Sequence, residues 1–226
     1  MRSHGIKATP EATLRRLTHY HHLLKQLEAS GRPVVSCTHI AEHLRLLPIQ
    51  VRKDMAMTGV VGKPKVGYEV PFLRAAIEEF LGWNDVTSAF LVGAGHLGTA
   101  LLGYDRFSRY GLDIVAAFDV EAAKIGTTIH GKEVLPLEKL PDLGNRMHVP
   151  IGILTVPAEA AQSVVDLMML SCIRAIWNFT PVKLEVPEGI IVENEDLSAT
   201  LGVLSSKLAK ALKRERLTQE YKPCPE

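Results

Sequence analysis

Long apolar runs are missing from this 226-residue chain. Nothing in it approaches the roughly 20 consecutive apolar residues that a membrane helix needs. The amino terminus has no signal-peptide core, and there is no internal repeat or low-complexity stretch. Cysteine is scarce: Cys37, Cys172 and Cys224 are odd in number and lack metal-ligand spacing. That argues against a disulfide framework and predicts a reduced, cytoplasmic setting. Charge of one sign is lacking too, since the chain carries only +1 at pH 7. The near-neutral total conceals an asymmetry. Through Gly82 there are 12 lysines and arginines against 7 acids, a net +5, and the remainder carries −4. A basic amino-terminal segment points to a polyanion for that segment alone, or to no more than a solvated helical face.

What is present is a glycine pattern in a strand–turn–helix context. The run Phe90-Leu91-Val92-Gly93-Ala94-Gly95-His96-Leu97-Gly98 reads as a buried strand, a tight turn and a helix start. A second strand ends about twenty residues later in Phe118-Asp119. Gly93 allows the turn, Gly95 lets backbone approach a pyrophosphate, and Gly98 allows close helix–strand packing. The helix opening near His96 offers unpaired N–H groups and a positive dipole end to phosphates. Asp119 would accept hydrogen bonds from the adenosine ribose and repel a 2′-phosphate, favouring NADH and NAD+ over their phosphorylated forms. Glycines alone also serve ordinary structural turns. Here the strand, helix and acid fall where a dinucleotide needs them.

Upstream, Leu14, Leu17, Tyr20, Leu24 and Leu27 recur at helical spacing, predicting an amphipathic helix over 11–29 that Gly31-Arg32-Pro33 ends. Ser36 reads as the N-cap of a short helix through Ile40, Ala41 and Leu44. After a break at Arg45-Leu46-Leu47, Pro48 opens a third helix to Met55. Two short helices joined by a tight turn form a helix-turn-helix pattern, a pattern that ordinary helical hairpins also produce. Gln50, Arg52 and Lys53 near the start of the second could reach base edges and phosphates, with Ser36 at the start of the first. Gly59–Tyr68 then predicts a hairpin whose Lys63 and Lys65 complete a wing. A last helix, Pro71–Leu81, leads to the linker Gly82-Trp83-Asn84-Asp85.

Several ordered tracts carry a resemblance. They are Arg16-Leu17-x-x-Tyr20, Gln50-Val51-Arg52-Lys53-Asp54, Val66-Gly67-Tyr68, the glycine turn with Tyr104, and Phe118-Asp119. Further on come Leu154-Thr155-Val156-Pro157-Ala158-Glu159-Ala160-Ala161-Gln162, Asn178-Phe179-Thr180-Pro181-Val182 and Val186-Pro187-Glu188-Gly189. In this combination the chain resembles the Rex family of redox-sensing transcriptional repressors, from about residue 9 to about residue 210. The resemblance implies an α+β winged-helix DNA-binding domain over 1–82 and an α/β Rossmann domain, a doubly wound parallel sheet binding NAD(H), over 83–198. A carboxy-terminal helix and tail over 199–226 would exchange between the subunits of a homodimer. Its stripe Leu201, Leu204, Leu208 and Leu212 could equally be an intramolecular core face.

Also implied are operator DNA with inverted repeats as partner, and release from it when NADH binds. Beyond the glycine turn, with Ala94, His96 and Leu97, the cofactor site would include Thr155, Val156 and Pro157 after the strand Ile151–Val156. Asn178 and Phe179 would follow the strand Ile173–Trp177. Coupling between domains would rest on Arg16, Tyr104 and Asp196, although Arg16 also reads as a solvated helix residue and Asp196 as a helix N-cap. The chain departs from the family in having Met57-Thr58-Gly59-Val60-Val61 where aromatics are usual, Lys63-Pro64-Lys65 for Lys-Arg-Gly in the wing, and His96 for Asn or Arg.

A small NAD(H)-dependent reductase is the alternative. Hydride transfer needs a positioned acid, and His130 and His148 read as ordinary loop histidines. His19, His21 and His22 lie on the first helix; the first and last could hold a metal at i, i+3, but they read as surface residues. Cys172 reads as buried filler. The nucleotide domain also resembles the CoA-binding domains of ligases, against which Asp119 argues. There is room after it for one helix and not for a substrate domain, so the chain reads as a regulator and not an enzyme.

Overall fold

The computed structural model describes residues 9–220 and comprises two compact units. Cys224 lies outside the described residues. The amino-terminal unit runs through Val86 and also takes in Arg106–Leu112; the other holds Thr87–Asp105 and the chain from Asp113.

In the first unit α1 (Glu11–Ala29) buries Leu17, Tyr20, Leu23 and Leu24 against α2 (Cys37–Leu44), α3 (Pro48–Met57) and α4 (Val70–Phe80). Ser36 caps α2, its Oγ accepting the His39 N–H at 3.1 Å. Arg45 ends that helix at φ 55°, in the left-handed region. α3 extends two residues beyond the sequence expectation. The wing is less regular than a hairpin: only Lys63 and Gly67 bridge, while β2 (Tyr68–Glu69) pairs antiparallel with β1 (Val34–Val35). Pro64 has no N–H to extend the ladder. The expectation that the α1 histidines all lie at the surface is corrected. His21 is buried, with Nε2 2.8 Å from Glu78 Oε1 and its ring edge-on to Trp83. Positions 17, 20, 21 and 24 share the helical face that meets the core.

The second unit is a seven-stranded sheet in the order β5-β6-β4-β3-β7-β8-β9. Its strands are β3 (Thr87–Val92), β4 (Leu112–Asp119), β5 (Thr128–Ile129), β6 (Lys132–Pro136), β7 (Ile151–Leu154), β8 (Ala175–Asn178) and β9 (Ile191–Asn194). Leaving aside the short antiparallel edge strand β5, this is the doubly wound order of dinucleotide-binding folds. The near-continuous apolar runs of β3 and β4 follow from burial on both faces. Phe90 and Phe118 meet edge-on at 4.9 Å in a core closed by α6 (Leu140–Met147) and α7 (Ala161–Met168); α5 (His96–Leu102) follows the glycine turn.

Strand β7 ends two residues sooner than the sequence suggested, where the Thr155 hydroxyl bonds Val92 O of β3 and Gly93 O of the glycine turn; β8 starts at Ala175 instead of Ile173. Cys172 is half-buried instead of core filler, its Sγ 3.4 Å from Asn145 Oδ1.

Helix α8 (Leu197–Glu220) closes the described chain. Leu201, Leu204, Leu208 and Leu212 on it are 60%, 62%, 55% and 44% exposed. That stripe is therefore not an intramolecular core face. Among the described residues no helix is long and apolar enough to cross a membrane.

Candidate functional site

Two sites emerge, one in each unit. In the second, the carboxyl ends of β3, β4, β7 and β8 meet at the point where strand order reverses, the place where open α/β sheets bind ligands. Gly93 leaves β3 at φ +99° with its N–H donating to Phe118 O at 2.8 Å. A Cβ on Gly98 would lie 2.0 Å from Gly93 O, so the helix closes onto the turn only with glycine there. At Gly95 a Cβ would meet nothing within 4 Å. Its missing side chain opens a cradle for a ligand beside the amino end of α5. A cavity of about 440 Å³ lies there, lined by Ala94, Gly95, His96, Thr99, Glu121 and Lys124.

Asp119 ends β4 almost fully buried. Its Oδ2 accepts from Ala94 N–H at 2.8 Å and Lys124 Nζ at 3.3 Å, and its Oδ1 from Val120 and Glu121 N–H at 2.8 and 2.9 Å. Burial alone would push this carboxyl's pKa up. The Glu121 N–H, Lys124 and the Ala94 N–H together outweigh it and hold the group below the usual carboxylate value. Lys124 also pairs with Glu121 at 2.6 Å, which raises its own pKa. A carboxylate offers about four acceptor positions, and all are engaged. A ribose hydroxyl reaching Oδ2 must therefore displace Lys124. Sequence reasoning marked the stretch Val120–Gly126 as supporting the adenosine ribose without singling out Glu121 or Lys124, and it missed Thr99.

The predicted residues around the far side of this cleft divide by role. The Thr155 hydroxyl donates toward Val92 O and Gly93 O at 3.0 and 2.8 Å, knitting β7 to the glycine turn. Asn178 is wholly buried. Its Nδ2 donates to Val182 O and Asn194 Oδ1, and its Oδ1 accepts from the Thr180 N–H and hydroxyl. The Asn178 amide is thus committed to shaping the loop that carries Phe179. Val156, Pro157 and Phe179 provide the apolar surface at this edge, with Phe179 packed 4.9 Å from Trp177.

In the first unit, Ser36, Thr38, Arg52, Lys63, Lys65 and Tyr68 line one groove of about 410 Å³ between α2, α3 and the wing. Arg52 and Lys53 are exposed on α3. Lys63 Nζ sits 2.6 Å from Glu69 Oε1, and Lys65 takes φ 62° at the wing tip. The Gln50 amide nitrogen donates to Asp54 Oδ1 at 3.0 Å. Asp54 is the anchor between helices. Arg16 meets it through Nε at 2.7 Å and Nη2 at 2.9 Å, and the Tyr20 hydroxyl through a 2.7 Å bond. Burial raises the Asp54 pKa and the bonds from Arg16, Tyr20 and Gln50 lower it further than that. Arg16 is thus no solvated helix residue. Asp196 Oδ1 accepts the Ser198 hydroxyl at 2.5 Å and the Ser198 and Ala199 N–H groups at 2.8 and 3.0 Å, an N-cap on α8; the hydroxyl bond first, then the backbone bonds, lower its pKa. Tyr104 is 45% exposed. Among the described residues no three His, Cys, Asp or Glu side chains are placed to hold a metal.

Comparison with known proteins follows the two units. Residues 84–182 match the family described as "CoA binding domain", and residues 8–56 the one described as "Putative DNA-binding protein N-terminus". The chain is similar to the redox-sensing transcriptional repressor Rex of Treponema denticola, 49% identical over 207 residues that span 90% of this chain and 98% of that one. It is 43% identical over 202 residues to the protein of the same name from Bacteroides fragilis, 88% of this chain and 90% of the other. Among solved structures, RSP in complex with β-NAD+ and operator DNA gives a TM-score of 0.86 at 31% identity, covering 96% of this chain and 100% of that one. RSP in complex with β-NADH gives 0.84 at 31% identity, over 93% and 99%.

Proposed function

This chain belongs to the Rex family of redox-sensing transcriptional repressors, and we propose from that premise that it holds operator DNA through its first unit and NAD(H) through its second. NADH binding releases the DNA, so the protein reads the balance of NADH and NAD+. The observation that carries this reading is the open cradle at Gly95 beside Asp119 and the amino end of α5, in a chain whose other unit presents Arg52, Lys53, Lys63 and Lys65. The relatives' names place the chain with regulators and not with enzymes. A cytoplasmic location fits this work.

The residues present suit a dinucleotide. Gly93, Ala94, Gly95, His96, Leu97 and Gly98 form the pyrophosphate cradle, and Asp119 takes the adenosine ribose in exchange for Lys124. At the nicotinamide side, Val156, Pro157 and Phe179 surround the ring while Thr155 and Asn178 hold the loops that carry them. A ligand shifts an equilibrium only by its differential affinity for two states. NADH has a neutral ring and NAD+ a cationic one, and apolar surroundings penalise the cation by desolvation. Two chains acting together give the inverted-repeat operator its symmetry. The exposed leucine stripe of α8 supplies the surface such a homodimer buries, through exchange of that helix.

Fluorescence anisotropy on labelled DNA from the gene's own upstream region, at fixed salt, tests the reading. Binding reversed by NADH and not by NAD+ is expected. DNA binding indifferent to both nucleotides removes the sensor, and tight NADH binding without DNA binding returns the small reductase.

A further inference from the structure

The first turn of α3 presents something other than hydrogen-bonding groups. Leu47 occupies its N-cap position in an extended conformation, with no side-chain cap bond, and is 69% exposed. Serine, threonine, aspartate and asparagine are the residues that stabilise a helix there. Ile49, two positions on, is 52% exposed. Ile49 shares its helical face with Arg52 and Lys53 at i+3 and i+4, opposite the buried Val51, Asp54 and Met55. Any pose that sets those two cations against phosphates turns Ile49 toward the same nucleic acid. The amino-terminal end of such a helix is the part that enters the major groove. Gln50, the polar residue of this turn, has its amide nitrogen on Asp54. An adenine-reading glutamine needs both its nitrogen and its oxygen on the base.

We propose that Leu47 and Ile49 form an apolar reading head that recognises thymine methyl groups in each operator half-site. This rests on the repressor reading above. In the major groove thymine alone among the four standard bases offers a methyl group. One large apolar side chain on the DNA-facing side of a basic helix, Ile49, and a second exposed at that helix's N-cap, Leu47, are therefore matched to it. Their exposure in the free protein then has a cause: they are covered when DNA is bound.

The test uses the full-length protein with NAD+ and a random-centre duplex pool synthesised with thymine. The tightest selected duplex is remade with deoxyuridine at one thymine position at a time, which removes only the methyl. Anisotropy should show one or two positions in each half-site where affinity falls about fourfold per methyl, the worth of burying a CH2-sized group. In a Leu47→Ala, Ile49→Ala double variant, those same replacements should have no further effect. Circular dichroism and thermal melting check that the double variant folds, as surface positions allow. If no thymine is sensitive, or if the variant keeps the full sensitivity, the inference is overturned. A protein that enriches no duplex from the pool overturns the repressor reading itself, and this inference with it.

Discussion

Asp54→Asn is the most incisive perturbation of the first unit. The Asp54 side chain is 2% exposed and that of Arg16 is 22% exposed. Removing one partner of a buried ion pair costs about 3–5 kcal/mol. Arg16 can regain part of its hydration, which brings the expectation to about 2–4 kcal/mol. Asparagine offers one acceptor to the donors of Arg16, Tyr20 and Gln50, and its own amide hydrogens face them. The chain's two tryptophans allow a clean assay, because Trp83 lies in the first unit and Trp177 in the second. In a Trp177→Phe background, urea unfolding followed by Trp83 emission should show the midpoint lowered by about 1.5–2.5 M for a typical urea slope. Tyr20→Phe removes one charge-assisted bond and should cost about 1.5 kcal/mol.

The pH dependence has a definite sign. The folded Asp54 pKa lies below its ordinary 3.8, so its contribution is complete above that value and is lost as pH falls through the folded pKa. The gap between wild type and Asp54→Asn should therefore be full at pH 7 and close below pH 3.8. A midpoint for Asp54→Asn within about 0.3 M of wild type at pH 7 would refute the anchoring role.

Other outcomes follow from the second unit. Gly98→Ala places a Cβ 2.0 Å from Gly93 O; isothermal titration should show NADH affinity reduced by about a hundredfold, at 1.4 kcal/mol per decade, with circular dichroism unchanged. Asp119→Ala should weaken NADH about 10- to 100-fold through loss of charged hydrogen bonds, and should narrow the preference for NADH over NADPH in the same titration. Leu204→Lys with Leu208→Lys should turn the proposed homodimer into a monomer in light scattering, because both side chains are more than half exposed on α8.

The glycine turn was legible because its requirement is steric and local. Only glycine fits at Gly98, and the chain writes that need within six residues of Gly93. The doubly wound parallel sheet was expected from the resemblance, while its strand order is seen only in the fold. Side-chain partnerships across the fold were not legible. Arg16 and Asp54 are 38 residues apart, and nothing local to either names the other. His21 shows the same limit: one shift around the α1 face took it from surface to core. The partners of the Asn178 amide were equally hidden: Asn194, 16 residues on, is one of them, and a buried amide must satisfy its donors and acceptor. Leu47 and Ile49 went unremarked because apolar residues beside a helix start normally signal a core.

The partnership of Arg16 bears on how the nucleotide signal reaches the DNA. Arg16 holds Asp54 on α3, the helix proposed to enter the groove. If coupling runs through Arg16, Tyr104 and Asp196, then whatever draws the guanidinium away also loosens the anchor of α3. Allosteric coupling of 5- to 150-fold needs only part of such an interaction to differ between states. Asp196 also caps α8, so Asp196→Ala alone would confound two roles. Asp196→Asn keeps an N-capping oxygen and removes the charge. Both variants should bind NADH as wild type does by titration, and both should raise the NADH concentration for half-release of DNA about fivefold or more. Normal release by Asp196→Asn together with impaired release by Asp196→Ala would assign Asp196 to the helix cap alone. The Arg16–Asp54 pair would then be an element of the winged helix with no part in the switch.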